Sequence, residues 1–268
     1  MALSLLNNIS SLEAENQLNQ TSATLQKVLV QLSSGSRLNS GADDPAGLSI
    51  ADSLHASEAM LSQASSNANT GIGLLQTADG SLGQITNLLD RAVTLATEAS
   101  NGGLTTTQLS ALDNEYQSIQ SEITRIGGQT TFNGSSVFTA TTTSIFLGSA
   151  TNSIGVTIGT LSATTLALNG TSLTGTNAPT ALDAINAAID TVASSRGTLG
   201  ATLNRLTAAQ NVISNQVTNI TAAENLVRSA NIPEDVAQES QLSVLEQTGI
   251  SALTQANSQT QQILRLFQ

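Results

Sequence analysis

The sequence predicts a mainly α fold: an elongated antiparallel helical bundle or coiled coil, with N- and C-terminal helices paired and a small β-hairpin region at the far end. Three observations carry that prediction. Apolar side chains recur at alternating steps of three and four at Leu182, Ile185, Ile189, Val192, Leu199, Leu203, Leu206, Ile213, Val217, Ile220 and Val227, and polar Arg196, Gln210 and Glu224 fall in one column of the repeat. Such a sustained 3-4 pattern is the coiled-coil signature, and a helix of that length runs roughly 70 Å. Aromatic residues are only 2% of the chain and Trp is absent, so packing is left to aliphatic and small side chains. The layout is also nearly symmetric about its middle, with a terminal helix, a short break and a longer helix leading in, and the reverse order leading out.

The elements follow in order. Residues 3–32 have helical apolar spacing with a phase slip near Glu15, and Gly35 supplies a left-handed C-cap. Asn39-Ser40-Gly41 is loop chemistry; Asp44 caps the next helix, which Pro45 can open without losing a hydrogen bond. That helix carries a charge-free seam of Leu54, Ser57, Leu61, Ala64, Ala68, Gly71, Leu75, Ala78, Leu82, Ile85, Leu89, Ala92, Ala96 and Ala99, ended by Asn101-Gly102-Gly103. Its small residues let a neighbour approach closely. A Thr105 to Gln108 capping box opens a third helix seamed by Leu109, Leu112, Tyr116, Ile119, Ile123 and Ile126, which Gly127-Gly128 should stop.

From residue 126 to 182 there is no charged side chain. Alternating runs at 144–147, 153–158 and 164–168, separated by Gly and Asn, read as hairpin strands. Thr180 is the expected N-cap of the long seam helix, Pro233 breaks the rod after it, and a last helix begins at Glu234. Leu242, Leu245, Gly249, Ala252 and Ala256 form one seam of that helix and Ile250, Leu253, Asn257 and Leu264 a second. Two weakly apolar faces want neighbours on more than one side, and one chain offers a single partner.

Composition narrows function. Nineteen acidic residues against eight basic ones give a net charge of −11, which argues against nucleic-acid binding because no basic stripe is present to displace counterions. No cysteine is available for disulfides or thiolate metal sites. The opening residues lack the basic and apolar regions of a secretory leader, and no apolar run is long enough to span a membrane, so export is expected by a route without a cleaved leader. Charged residues are only 10% of the chain, a surface best explained if much of it meets other copies. Catalysis finds no support: His55 is the only histidine, no phosphate-loop or H-E-x-x-H motif occurs, and the acid pairs Asp43/Asp44 and Glu234/Asp235 sit at helix starts, where they favour the helix dipole. No cofactor is expected.

The residues LSSGSRLNSGADDPAGLSIAD (32–52), SNANTGIGLLQTADGSL (66–82), GGQTTFNG (127–134), RGTLGATLNRL (196–206) and ISALTQANSQTQQILRLF (250–267), in that order, resemble bacterial flagellin over nearly the whole chain. The resemblance implies a short-form structural subunit of the flagellar filament, secreted through the flagellar type III export apparatus with a chaperone and polymerised into a helical tube for swimming. It implies an inner-tube domain of terminal helices (1–38 and 234–268), connecting segments (39–43 and 228–233), an outer-tube helical domain (44–130 and 180–227) and a β-hairpin region (131–179). Hook-associated junction and cap proteins are the further partners it implies.

Unpartnered apolar positions on the terminal helices nominate Leu5, Ile9, Leu12, Leu18, Leu25, Ile250, Leu253, Ile263, Leu264, Leu266 and Phe267 for packing between copies. Arg37, Asp43 and Asp44 stand at the break between terminal and long helix and are candidates for bridging to a neighbouring subunit. The resemblance further implies a patch of Leu89, Arg91 and Leu95 for the vertebrate innate flagellin receptor, with Val93 and Thr94 departing from the usual charged pattern. Two rival functions are a hook–filament junction protein, separable by its abundance in sheared filaments, and a secreted helical membrane-interacting protein, disfavoured because the polar faces lack Lys and Arg.

Overall fold

The computed structural model describes residues 8–149 and 152–266, with side chains as far as residue 259 apart from Ser149. Among them are five helices, α1 (Ile9–Ser34), α2 (Pro45–Ala99), α3 (Thr106–Gln129), α4 (Ala178–Arg228) and α5 (Ile232–Leu266). Four strands are present, β1 (Thr131–Phe132), β2 (Ser135–Ser136), β3 (Thr142–Ser149) and β4 (Asn152–Thr157). The chain is a helical bundle with a small antiparallel β region, and it divides into two compact units, residues 1–57 with 219–268, and residues 58–218.

In the first unit α1 and α5 run antiparallel. Asn8 Nδ2 donates to the Ala256 carbonyl at 2.9 Å, Ser11 Oγ to Asn257 Oδ1 at 2.9 Å, and Ser22 Oγ to Glu246 Oε1 at 2.9 Å. Gly249 permits close packing, because a Cβ there would stand 3.3 Å from Leu18 Cδ1. The Asn8 side chain caps α1, and Gly35 at φ 66° ends it in the left-handed conformation that glycine adopts at least cost.

In the second unit α2 and α4 run antiparallel, with Arg196 on Asp79 and Gln210 Nε2 donating to Asn69 Oδ1 at 2.8 Å. The expected α2 seam is the buried stripe: every one of its positions from Leu61 to Ala99 is buried. Of the α4 seam only Arg196 is exposed; Gln210 reaches Asn69. The Thr105 to Gln108 capping box forms as expected. Asn133 (φ 50°) and Gly134 (φ 77°) make the two-residue turn between β1 and β2, the conformation that Asn-Gly favours in tight hairpins. β3 and β4 pair antiparallel with a bulge between Phe146 and Ser149.

Several boundaries differ from expectation. Residues 164–168 are a turn rather than a strand: Ser162 and Thr165 exchange side-chain-to-backbone hydrogen bonds at 2.8 and 3.1 Å, and Leu168 N donates to Ala163 O. Local hydroxyls there satisfy donors that a ladder would otherwise use, while Leu166 and Leu168 still bury their side chains. Helix α3 runs through Gly127 and Gly128 to Gln129, because Gly127 gives room for the Leu161 carbonyl rather than a stop. Helix α4 starts at Ala178, with Ala181 N donating to Asn177 O at 2.9 Å, so Pro179 falls in the first turn where its missing N–H is harmless. For the same reason α5 starts at Ile232 with Pro233 inside its first turn.

Candidate assembly surface

On α1 a stripe of half-buried and buried positions runs through Ser11, Ala14, Leu18, Thr21, Leu25, Val28 and Leu32, with Ser22 and Gln31 half-buried beside it; on α5 one runs through Asp235, Glu239, Leu242, Glu246, Gly249, Leu253 and Ala256, with Ser258 beside it. Both stripes step by three and four, the spacing that keeps one face toward a partner helix. The α1–α5 stripes therefore mix aliphatic positions (Leu18, Leu25, Val28, Leu32, Leu242 and Leu253) with small, polar and acidic ones, and further apolar side chains are left outside them.

Among the nominated packing residues, Leu18, Leu25 and Leu253 lie on these half-buried stripes, and Ile9 (61% exposed), Leu12 (60%) and Ile250 (52%) do not. Val244 (63%) and Leu245 (48%) join the outward apolar set on α5, so Leu245 leaves the seam assigned to it. Acidic Glu246 takes the inward position instead, its carboxylate accepting from Ser22. A reading by hydrophobicity alone misses such a pair; a match between hydroxyls on one helix and acids on the other would have found it. Leu5 and Phe267 lie outside the described residues, as do the side chains of Ile263, Leu264 and Leu266.

The joint between α1 and α2 is held locally. Ser36 pairs with Ser229 in an antiparallel bridge, Arg37 N donates to the Arg228 carbonyl at 2.7 Å, and Arg37 Nη2 donates to the Val227 carbonyl at 3.0 Å. Asp44 Oδ1 accepts from Ala46 N at 3.1 Å and Gly47 N at 3.0 Å, capping α2. Asp43 Oδ1 pairs with Lys27 Nζ at 2.8 Å, and its Oδ2 accepts from the amides of Ser40 (2.9 Å) and Asn39 (3.2 Å). The Lys27 ammonium first, and these hydrogen bonds after it, hold the Asp43 carboxyl down to about 2. Glu224, nearly buried on α4, receives Arg228 Nη1 at 3.3 Å and stands 3.5 Å from His55 Nδ1. His55 thus has a partner that its sequence surroundings did not reveal.

In the second unit Arg91 is exposed and its guanidinium engages Glu115 at 2.7 and 3.1 Å, raising the arginine pKa and lowering that of the glutamate. Leu89, in the α2 seam, and Leu95, outside that series, are both fully buried, which leaves Arg91 as the surface member of that trio. A cleft of 520 Å³ beside β3 is lined by Phe132, Phe146, Ile145 and several Ser, Thr and Asn side chains, with no ionisable group among its lining residues to carry acid–base chemistry. No described helix is long and apolar enough to cross a membrane.

A family model of the bacterial flagellin N-terminal helical region matches residues 5–143, and one of the bacterial flagellin C-terminal helical region matches residues 182–267. The chain belongs to the bacterial flagellin family. It is 33% identical over 248 residues to a flagellin of Halalkalibacterium halodurans, covering 90% of this chain and 91% of that one. It is 42% identical over 151 residues to the B-type flagellin of Pseudomonas aeruginosa, of whose length the match spans 31%. The crystal structure of Bacillus cereus flagellin matches with a TM-score of 0.50 at 34% identity, over 59% of this chain and 94% of that one. This flagellin is a structural filament subunit; flagellins polymerise into the extracellular flagellar filament, and the family is structural rather than enzymatic.

Proposed function

We propose that the outward faces of α1 and α5 are the principal contacts between copies in the filament, and that residues 1–38 and 234–268 form its inner tube. The observation behind this reading is that, with α1 and α5 already paired, the large apolar side chains Ile9, Leu12, Val244 and Ile250 remain more than half exposed. Burying such side chains between copies contributes roughly 1.5–3 kcal/mol each when complete, and contacts that repeat without closing generate a helical polymer. Residues 44–130 and 180–227 then form the outer tube, with 131–179 as its β region.

The finer parts of this proposal concern route and partners. The subunit passes through the flagellar export apparatus with a chaperone on its C-terminal helix, meets junction and cap proteins at assembly, and serves swimming. Arg37, Asp43 and Asp44 keep the joint at one angle, and their charged edges face the next subunit. Arg91, carried with Glu115, is the residue offered to a vertebrate innate flagellin receptor. Purified chain seeded with sheared filaments and viewed by electron microscopy tests the core of the proposal. Tubes are expected; a chain that stays single at high concentration despite seeds overturns it.

A further inference from the structure

Asn-Gly occurs three times, at Asn101-Gly102, Asn133-Gly134 and Asn169-Gly170. Glycine presents no side chain to keep its main-chain nitrogen from the preceding asparagine Cγ, so each pair is open in principle to intramolecular attack and loss of ammonia. That attack needs the backbone to swing out of its resting conformation. Local restraint therefore decides which asparagine reacts.

Asn133 and Gly134 are pinned between paired strands, with Thr131 opposite Ser136 and Phe132 opposite Ser135, and the Phe132 ring is seated against Gly73 of α2. Asn169 and Gly170 lie in a turn closed by Thr171 N donating to Leu168 O at 3.1 Å, with Asn169 N donating to Ala163 O at 3.3 Å. Its flanks are fixed as well: Leu168 and Leu173 are fully buried, and Thr171 Oγ1 is 2.5 Å from the buried Tyr116 hydroxyl. Asn101 is held only at its near side, where its amide donates to Glu98 O at 3.0 Å. Gly102 and Gly103 follow, both exposed, where a Cβ on either would meet nothing within 4 Å, and the next fixed point is the Thr105 cap.

We propose that Asn101 is a site of spontaneous conversion to aspartate and isoaspartate in the native chain, and that the other two Asn-Gly pairs are protected by their folds. The Gly102 nitrogen gives up its proton to solvent base and bonds to Asn101 Cγ; the Cγ–Nδ2 bond breaks and ammonia leaves, closing a succinimide. Water then adds to one of the two ring carbonyls, that carbon's bond to the Gly102 nitrogen breaks, and the nitrogen regains a proton. Addition at Cγ returns the normal backbone as aspartate, and addition at the main-chain carbonyl routes the backbone through the side chain as isoaspartate. Nothing is oxidised or reduced. Either product places a carboxylate just beyond the carbonyl end of α2, near Glu98, where negative charge opposes the helix dipole.

The test uses the intact purified chain held folded at mildly alkaline pH, sampled over time and digested with trypsin. Cleavage after Arg91 and Arg125 isolates residues 92–125 with Asn101, and cleavage after Arg125 and Arg196 isolates 126–196 with the other two. The mass gain of one deamidation, assigned by fragmentation to Asn101 and labelled by an isoaspartyl methyltransferase, is expected several-fold faster in 92–125. In urea that preference should collapse, and Asn101→Gln should remove the gain from 92–125 with the helical circular dichroism unchanged. Equal rates in the native chain, a faster gain in 126–196, or a gain assigned to Asn114 instead overturns the proposal.

Discussion

Arg196 on α4 holds Asp79 on α2 with two donors of its guanidinium, Nε to Oδ1 at 2.8 Å and Nη2 to Oδ2 at 3.3 Å. The pair occupies the one exposed position of the α4 seam, so it sets register between the two helices in water-accessible surroundings. Exposed pairs are screened and contribute little. Arg196→Ala is expected to cost within about 1 kcal/mol of subunit stability, whereas Leu206→Ala, fully buried in the same seam, should cost about 2–5 kcal/mol. Urea denaturation of the two variants gives the comparison; a larger loss for Arg196→Ala would mean the polar column, not the aliphatic one, carries the α2–α4 contact.

Gly127 and Gly200 both lie inside helices, yet alanine should act on them with opposite sign. A Cβ at Gly200 meets nothing within 4 Å, so Gly200→Ala removes backbone freedom from the unfolded chain and should stabilise by about 0.5–1 kcal/mol. A Cβ at Gly127 would collide with the carbonyl oxygen and carbon of Leu161, backbone atoms that cannot turn away. Gly127→Ala should therefore lower the thermal midpoint, and Gly200→Ala should raise it, as followed by circular dichroism. Tyr116 fluorescence should report displacement of the Leu161 to Leu173 segment only in Gly127→Ala.

Acid should loosen the joint through Asp43. Its folded-state pKa, about 2, lies below the ordinary 3.8, so the stability it contributes is fully present above 3.8 and is lost as pH falls toward 2. Below both values the protonated carboxyl no longer pairs with Lys27. Asp43→Asn should flatten that part of the acid limb of a stability-versus-pH curve, and Lys27→Met should shrink it. An unchanged acid limb in Asp43→Asn would place the acid sensitivity elsewhere.

Much of this fold is legible in the sequence, and the reason is periodicity. The α2 and α4 seams are strictly spaced over many turns, so packing had one consistent solution, and the Thr105 box and Gly35 cap are chemistry local to a few residues. The sequence misled where tertiary contact overrode a local rule. Gly127 looked like a stop and is a close approach to Leu161; Leu166 and Leu168 alternate like a strand but their backbone is held by Ser162, Thr165 and Ala163. On α5 the inward face carries Asp235, Glu239 and Glu246, so hydrophobicity pointed Leu245 toward α1 when the structure turns it outward. No local pattern announces which of two weak faces a partner helix will take.

The outward face left by that choice is where subunit folding and polymerisation can be separated. Ile250 and Ile9 are already more than half exposed in the single subunit, so lysine in place of either should change subunit stability by no more than about 0.5 kcal/mol. Between copies the same lysine would be a charge taken out of water without a partner, which costs several times what the isoleucine contributed. Leu18 differs, because it is half-buried against Gly249 of α5. Leu18→Lys should therefore lose subunit stability and assembly together, while Ile9→Lys and Ile250→Lys should lose seeded assembly in a pelleting assay and keep their urea midpoints. If the two outward variants pelleted like the parent chain, the contact between copies would have to lie on another face.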